Sequence, residues 1–421
     1  MKNFTRKHIF FIIFVVLCVA FPVSLSTQAR LNMRIIVTGL AIDKSNDEYE
    51  ITAQFVKTSP SAKQIGESKI EFISDKDKSI TGAISKLLYK TGKISALSHT
   101  GFILLGDGLK NDDLTQTLDY FVRDNVVEDS VLLAFSSGEA KEELKKTREI
   151  DISVGLGLQK VFLYKQKESD GIMTSLLSFL KRSKDESKTV VVSEMKLSTA
   201  AGDGEKENNE NQDSQSNENN QGSEGHAEKA QGGGDSSSSG EKGQYFDATT
   251  PINCFVSGKY VGKLEEPDEI EGYMLAKNKC KIDDITLSDL NFGKLNNAKI
   301  SIKIKNKSNK ISFCFEGGIP RLDINVSIKN AEIKEIHNKE IMSTFTKEEF
   351  EFIKKEMAKA ISGKIAASFK KAQELGADIF GAYNLANRFY YGKTKADFNE
   401  LSEFLNSIKL NVTVKTNRLE Y

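Results

Sequence analysis

Apolar residues alternate with polar ones, or recur at helical spacing, along most of the chain. Met33–Asp43 and Tyr49–Lys57 are β-rich runs around Ser45-Asn46-Asp47, a hairpin signal. Ile70–Ser74 reads as a short third strand. Ile80, Ile84, Leu87 and Leu88 have the spacing of a helix over Ile80–Tyr89. Gly101–Gly108 is a buried strand with a polar stop, Leu114, Leu118 and Phe121 mark a helix, and Ser130–Phe135 reads as strand. Helices are expected from Ser137 to Leu144, over Ile152–Tyr164 and over Ile172–Leu180, and a strand over Lys188–Met195. This irregular mixture, opened by a hairpin, argues against a doubly wound sheet.

The pattern then collapses. Residues 200–243 contain no large apolar side chain and carry ten acids against three bases. Such a segment cannot bury enough surface to offset its ordering entropy, so an acidic, low-complexity disordered insert is expected. Order resumes at Gln244–Phe246. Val256–Gly262 reads as strand, tight turn, strand. Glu265–Lys277 reads as a helix with Pro267 in its first turn, and Ile282–Leu287 as a strand. Ala298–Lys305, Lys310–Phe315, Leu322–Ile328 and Ala331–Ile336 alternate as strands.

Thr346 and Glu349 form a capping box, after which Phe350, Ile353, Met357, Ile361, Ile365 and Phe369 make a one-sided stripe. Gly376 is placed to stop that helix. Asp378 is placed to cap a second, anchored by Ile379 and Phe380 and running to Tyr391. A helix over Lys395–Leu405 and a strand over Ile408–Thr416 close the chain.

The expected fold is α+β, with three mixed α/β domains, the last a multi-stranded sheet covered by a long helix. The expected divisions are a leader over 1–29, an N-terminal α+β domain over 30–199, the insert over 200–243, a small middle domain over 244–293 and a C-terminal α+β domain over 294–421.

The leader has a basic start (Lys2, Arg6, Lys7), an apolar run from Ile9 to Phe21 and a polar exit. This is an export signal cleavable after Ala29, with an uncleaved anchor as the rival reading. Either places the bulk of the chain outside the cytoplasm. Cys18 lacks a small residue just before it and is a poor lipoprotein cysteine.

Charge changes the picture little: 59 basic residues balance 59 acidic ones, so no global basic field attracts nucleic acid. Beyond the leader, Cys254, Cys280 and Cys314 are an odd number, which excludes a complete disulfide framework. Cys254 and Cys314 sit in strand patterns as small core residues, and no spacing resembles a zinc site. His99, before a buried strand, would need a partnered acid and a nucleophile to act as a base. His337 reads as a solvated loop residue. Gly106-Asp107-Gly108 lacks the continuation of a phosphate loop, and Gly155-Leu156-Gly157 follows no strand. No catalytic, cofactor-binding or metal-binding residue is assigned.

Four stretches carry a family resemblance. Ile36-Val37-Thr38-Gly39-Leu40-Ala41-Ile42-Asp43-Lys44, with the strand after it, is similar to one family's first strand pair. Leu97–Gly106 followed by Leu118–Asp124 resembles its strand, helix and Arg-Asp segment. Phe255–Leu264 resembles its F-x-x-G-K-x-V-G-x-L hairpin. Lys370–Gly381 is close to its K-A-Q-x-x-x-A-D-I-F-G run. In this order they resemble the Ger(x)C family, the C-type subunits of bacterial spore germinant receptors. The chain departs from the family where a lipobox Cys with Trp and Asp is usual; here it reads Ala29-Arg30-Leu31-Asn32-Met33.

The resemblance implies three α+β domains on the outer face of the spore inner membrane. It implies A-type and B-type subunits as partners, a role in nutrient-triggered germination, no cofactor and no catalytic residues. The alternative is an exported solute-binding or envelope scaffold protein without a receptor role.

Overall fold

The computed structural model describes Phe14 and residues 34–57, 69–92, 94–123, 127–146, 174–199, 244–246, 251–277, 284–337, 345–398 and 400–421. The expectations for the leader (Phe14 aside), for a helix over Ile152–Tyr164, for the acidic stretch 200–243 and for Cys280 lie outside these residues.

β1 (Arg34–Ser45) and β2 (Glu48–Lys57) form the expected hairpin. Asn46 and Asp47 both take positive φ, 49° and 60°, as a two-residue type I′ turn requires. β3 (Lys69–Asp77) pairs with β2. α1 (Ile80–Thr91) starts where the Ser79 hydroxyl accepts from the Gly82 N–H. There follow β4 (Ile94–Ala96), a 3-10 turn at Leu97–His99, β5 (Phe102–Leu105), a second such turn at Asp107–Asn111, α2 (Leu114–Arg123), β6 (Leu132–Ser136) and α3 (Ala140–Lys146). Next come β7 (Thr174–Ser175), α4 (Leu176–Arg182), β8 (Thr189–Met195), β9 (Leu197–Thr199), β10 (Gln244–Phe246), β11 (Ile252–Val256) and β12 (Lys259–Leu264). The helix expected from Ile172 starts later, because Thr174 and Ser175 pair with β6 and the Ser175 hydroxyl caps α4.

One sheet runs in the order β12-β11-β8-β6-β5-β1-β2-β3, with β4 beside β1 and β7 beside β6. Its central strands β1, β5, β6 and β8 are parallel, and an antiparallel hairpin closes each side. β9 and β10 form a short ribbon that brings together the two ends of the acidic stretch.

The second sheet is β13 (Asp284–Phe292), β14 (Leu295–Glu316), β15 (Ile319–His337) and β16 (Lys409–Glu420), in that order. β13, β14 and β15 are antiparallel neighbours, and β16 runs parallel to β15. Around it lie α5 (Pro267–Ala276), α6 (Lys347–Glu374), α7 (Ala382–Asp397) and α8 (Leu401–Ser407).

The fold is α+β, and α6 covers the second sheet as its stripe predicts. Ile353, Met357, Ile361, Ile365 and Phe369 are all buried in one core with the sheet. At its start Thr346 Oγ1 accepts from the Glu349 N–H (3.3 Å) and Glu349 Oε2 from the Thr346 N–H (2.8 Å). Glu349 also accepts from the Lys294 N–H (2.8 Å), and these backbone donors hold its carboxyl below the usual range.

Four further expectations need correction. The four strands expected over residues 298–336 are two long ones, because the polar run that interrupts the alternation has its own partner. Lys307 Nζ donates to the carbonyls of Met274 (2.8 Å), Leu275 (2.8 Å) and Lys277 (2.6 Å), closing the C-terminus of α5. Next, the helix expected from Asp378 starts at Ala382, and the one expected from Lys395 divides into the end of α7 and α8.

Finally, residues 244–293, expected as a small middle domain, are shared between the two sheets. β11 and β12 pair onto β8, whereas β13 pairs with β14. The reason is that β11 is buried on both faces. Phe255 enters the first core, stacked on Phe135 at 5.4 Å, while Ile252 and Cys254 enter the second.

Candidate functional site

The four stretches that carry the resemblance occupy joints of the structure. In the first, Asp43 at the end of β1 reaches the start of α3, where its carboxylate accepts from the N–H groups of Ala140 (2.7 Å) and Lys141 (2.8 Å). Burial pushes this carboxyl up, partly offset by those two donors. Lys44 beside it makes a two-pronged pair with Asp112, at 2.7 and 2.8 Å. The second stretch fits against the first through glycines. A Cβ on Gly106 would stand 2.0 Å from Asp43 Oδ1, and one on Gly108 2.2 Å from the Lys44 carbonyl oxygen.

The third stretch is the β11–β12 hairpin, which touches both halves. The Gly258 carbonyl accepts from the Leu114 N–H at the start of α2 (2.9 Å). On the other side a Cβ on Gly262 would lie 2.4 Å from Leu375 Cδ2 at the end of α6. α5 then crosses α6 at Gly272, where a Cβ would sit 1.9 Å from the Lys364 carbonyl oxygen.

The fourth stretch is the corner between α6 and α7, and it is the best candidate site. Gly376 and Gly381 turn the chain with φ of 61° and 81°. Between them Asp378, 5% exposed, accepts through Oδ1 from the Ala382 N–H (2.7 Å) and through Oδ2 from the Tyr383 N–H (2.8 Å). Asp378 thus caps α7 with its side chain from three residues outside the first turn. Burial raises its carboxyl above the usual range; the backbone donors and Lys277 act the other way. Lys277 Nζ donates to the Ile379 carbonyl (2.8 Å) and stands over the rings of Tyr273 (5.1 Å) and Phe380 (5.8 Å). Phe380 is buried against Tyr273 and Phe369, with ring centroids 5.9 and 5.8 Å apart.

The corner also meets the first sheet. The Asp378 N–H donates to Thr189 Oγ1 (3.1 Å), and Asn384 Oδ1 accepts from the Ser187 N–H (3.1 Å). Between them lies a cavity of about 210 Å³ lined by Arg182, Ser187, Thr189, Lys277, Asp378 and Asn384, among others. An open groove of about 410 Å³ continues from it, bordered by Asp185, Glu186, Asn387, Arg388 and Tyr391. The sequence showed the corner motif. It gave no sign of Thr189, Ser187 or Lys277, which come from other elements and carry no local spacing signal.

The residues weighed for chemistry lie apart from this seam. His99 is exposed at the end of a 3-10 turn, and His337 is exposed beside Glu335 (3.4 Å). Cys254 is buried, and burial pushes its thiol up to about 12. Cys314 is half-buried, with its Sγ 3.7 Å from Asp323 Oδ2. Gly106-Asp107-Gly108 packs on β1, as above. Among the described residues no group of three His, Cys, Asp or Glu side chains could hold a metal ion. No helix among them is long and apolar enough to cross a membrane.

The family model for the spore germination protein N-terminal domain matches residues 27–197. That for the spore germination B3/GerAC-like C-terminal region matches residues 252–419. Spore germination protein B3 of Bacillus subtilis (strain 168) is 28% identical over 149 residues, which are 35% of this chain and 38% of that protein. The alignment therefore spans well under half of that relative's length. A solved structure of the GerBC protein is similar at 17% identity and a TM-score of 0.46, over 90% of this chain and 97% of that one. The chain belongs to the GerAC-like family of spore germination proteins.

Proposed function

We propose that the chain is a non-enzymatic, membrane-associated subunit of a spore germinant receptor, acting in nutrient-triggered germination. In this reading it stands on the outer face of the spore inner membrane with A-type and B-type subunits. The observation that carries it is the pair of family matches, which follow one another in order along most of the chain.

The chemistry of the described side chains supports a structural subunit rather than a catalyst. The groups that burial perturbs, Asp43, Asp378 and Cys254, are held by backbone donors or enclosed in core, where they fix helix starts and fill space. His99 makes no hydrogen bond or ion pair to another described residue, so no partnered acid orients it as a base.

The experiment is affinity purification of the full chain from spore membranes, alongside a deletion strain lacking its paralogues. Co-purification of A-type and B-type subunits together with impaired nutrient germination is expected. A chain that brings down neither subunit, in a strain that germinates normally, overturns the reading.

A further inference from the structure

β8 begins at Thr189, and residues 181–188 before it, the end of α4 and the turn that follows, expose Lys181, Arg182, Lys184 and Lys188 with two carboxylates, Asp185 and Glu186. Across the groove, α7 borders it with Arg388 and Tyr391, and Phe389 stands beside them; Tyr390 and Lys393 turn instead to β14, where Tyr390 packs on Phe315 (5.4 Å) and Lys393 Nζ stands over the same ring (4.1 Å). Phe389 and Tyr391 are 64% and 53% exposed. The face is therefore basic in a chain with no net charge, and it is aromatic at its centre. Ser187 and Asn384 hydrogen-bond the two walls together, so the face exists only when both halves of the fold are in place.

Its position in the sheet is informative. β1, β5, β6 and β8 are parallel, so the start of β8 lies at the same edge as the start of β1 at Arg34. At this edge β7 stands between β6 and β8, so the two starts are four strand spacings, about 20 Å, apart. α1 returns to this edge, where it exposes Tyr89 (92%), with Lys90 beside it paired to Asp75 (2.8 Å). Glu128 and Asp129, before β6, are the acids that border the edge at its middle.

We infer that this edge rests on an anionic lipid surface, with Phe389 and Tyr391 at headgroup level and Arg388, Lys181, Arg182, Lys184 and Lys188 over acidic phosphates. Aromatic rings and basic side chains together match the two chemistries of a lipid–water interface. An acidic protein partner would match the charge but would leave the position of this face beside the start of β1 without meaning. The inference rests on the membrane association proposed above.

The chain contains no Trp, so one substitution gives a unique fluorophore. Phe389→Trp reports on the proposed contact. Tyr421→Trp, beside Phe345 at the opposite end of α6, is the reference. Each full-length variant is reconstituted into phosphatidylcholine vesicles with and without phosphatidylglycerol, and into the same vesicles with brominated acyl chains. The Phe389→Trp protein is expected to shift to the blue and be quenched by bromolipid in the anionic vesicles alone, while the Tyr421→Trp protein stays red and unquenched. Adding Arg388→Gln and Lys184→Gln lowers the docked-to-undocked ratio about fivefold per cation removed.

An unquenched Phe389→Trp protein that still floats with the vesicles overturns the lipid contact and leaves membrane association standing. A chain that does not float overturns both. A blue shift that needs an added partner subunit and ignores bromolipid overturns the lipid contact and assigns the face to protein.

Discussion

Truncating Phe380 tests whether the corner after α6 is a packed joint. Its ring is 4% exposed and lies against Tyr273, Phe369 and Lys277. Lys277 stays tied to the Ile379 carbonyl and cannot follow the missing ring. A core Phe→Ala change with little collapse costs about 3–5 kcal/mol, part of it from the lost ring pairs. Against a total of about 5–15 kcal/mol, that is a large fraction. Urea unfolding of the detergent-solubilised full chain, followed by circular dichroism and tyrosine fluorescence, reads it directly. With a slope of about 1–3 kcal/mol per M, the midpoint should fall by about 1 M or more at unchanged slope. Phe380→Leu, which keeps most of the volume, should recover over half of the loss. A Phe380→Ala loss under about 1 kcal/mol refutes the packing argument. A variant of wild-type abundance and stability that fails only in germination would make the corner a contact surface instead.

Three more expectations follow from local geometry. Gly272→Ala should destabilise by about 1–3 kcal/mol although alanine favours helix, because its Cβ meets the backbone of Lys364; Gly363→Ala, with open space around it inside α6, should stabilise by up to about 1 kcal/mol in the same titration. The folded state holds the Asp378 proton above 3.8, where the unfolded chain releases it, so this group's contribution to stability declines as pH rises from 3.8 through the raised folded value. Unfolding free energies of Asp378→Asn across that window should lose this downward slope, and an unchanged slope would show that Asp378 titrates normally. Cys254, with its thiol pushed up to about 12, should resist alkylation in the native chain while half-buried Cys314 reacts, as peptide mass mapping would reveal.

How much of this was legible beforehand varied with the range of the interaction. The stripe on α6, the Thr346–Glu349 box and the Asn46-Asp47 turn are set by neighbours within a few residues, and all are found where the pattern puts them. The break expected inside β14 is not, because Lys307 and Asn309 look like turn residues until the end of α5 is brought over them. Asp378 was legible as a cap but its helix start was not, since Gly381 adds a turn before α7. The division of residues 244–293 was hidden for a related reason. Periodicity shows that β11 is apolar, and it cannot say that Ile252 and Phe255 belong to different cores. Of the seam, only the corner motif announced itself. Thr189 and Asn384 are polar residues of ordinary appearance whose roles depend on pairings 189 and 197 residues distant.

The shared hairpin also fixes an order of events during synthesis. β8, with Val190, Val191 and Val192 buried in the finished sheet, has no antiparallel neighbour until residues 252–256 have emerged. Until then the N-terminal half presents an unpaired apolar strand edge, the kind of surface that recruits other chains. Closing the loop across the intervening acidic stretch costs little for its length, since each doubling adds only about 0.6 kcal/mol. Neither half therefore completes its core alone, and the chain is committed to folding late, as one unit, after the insert has passed.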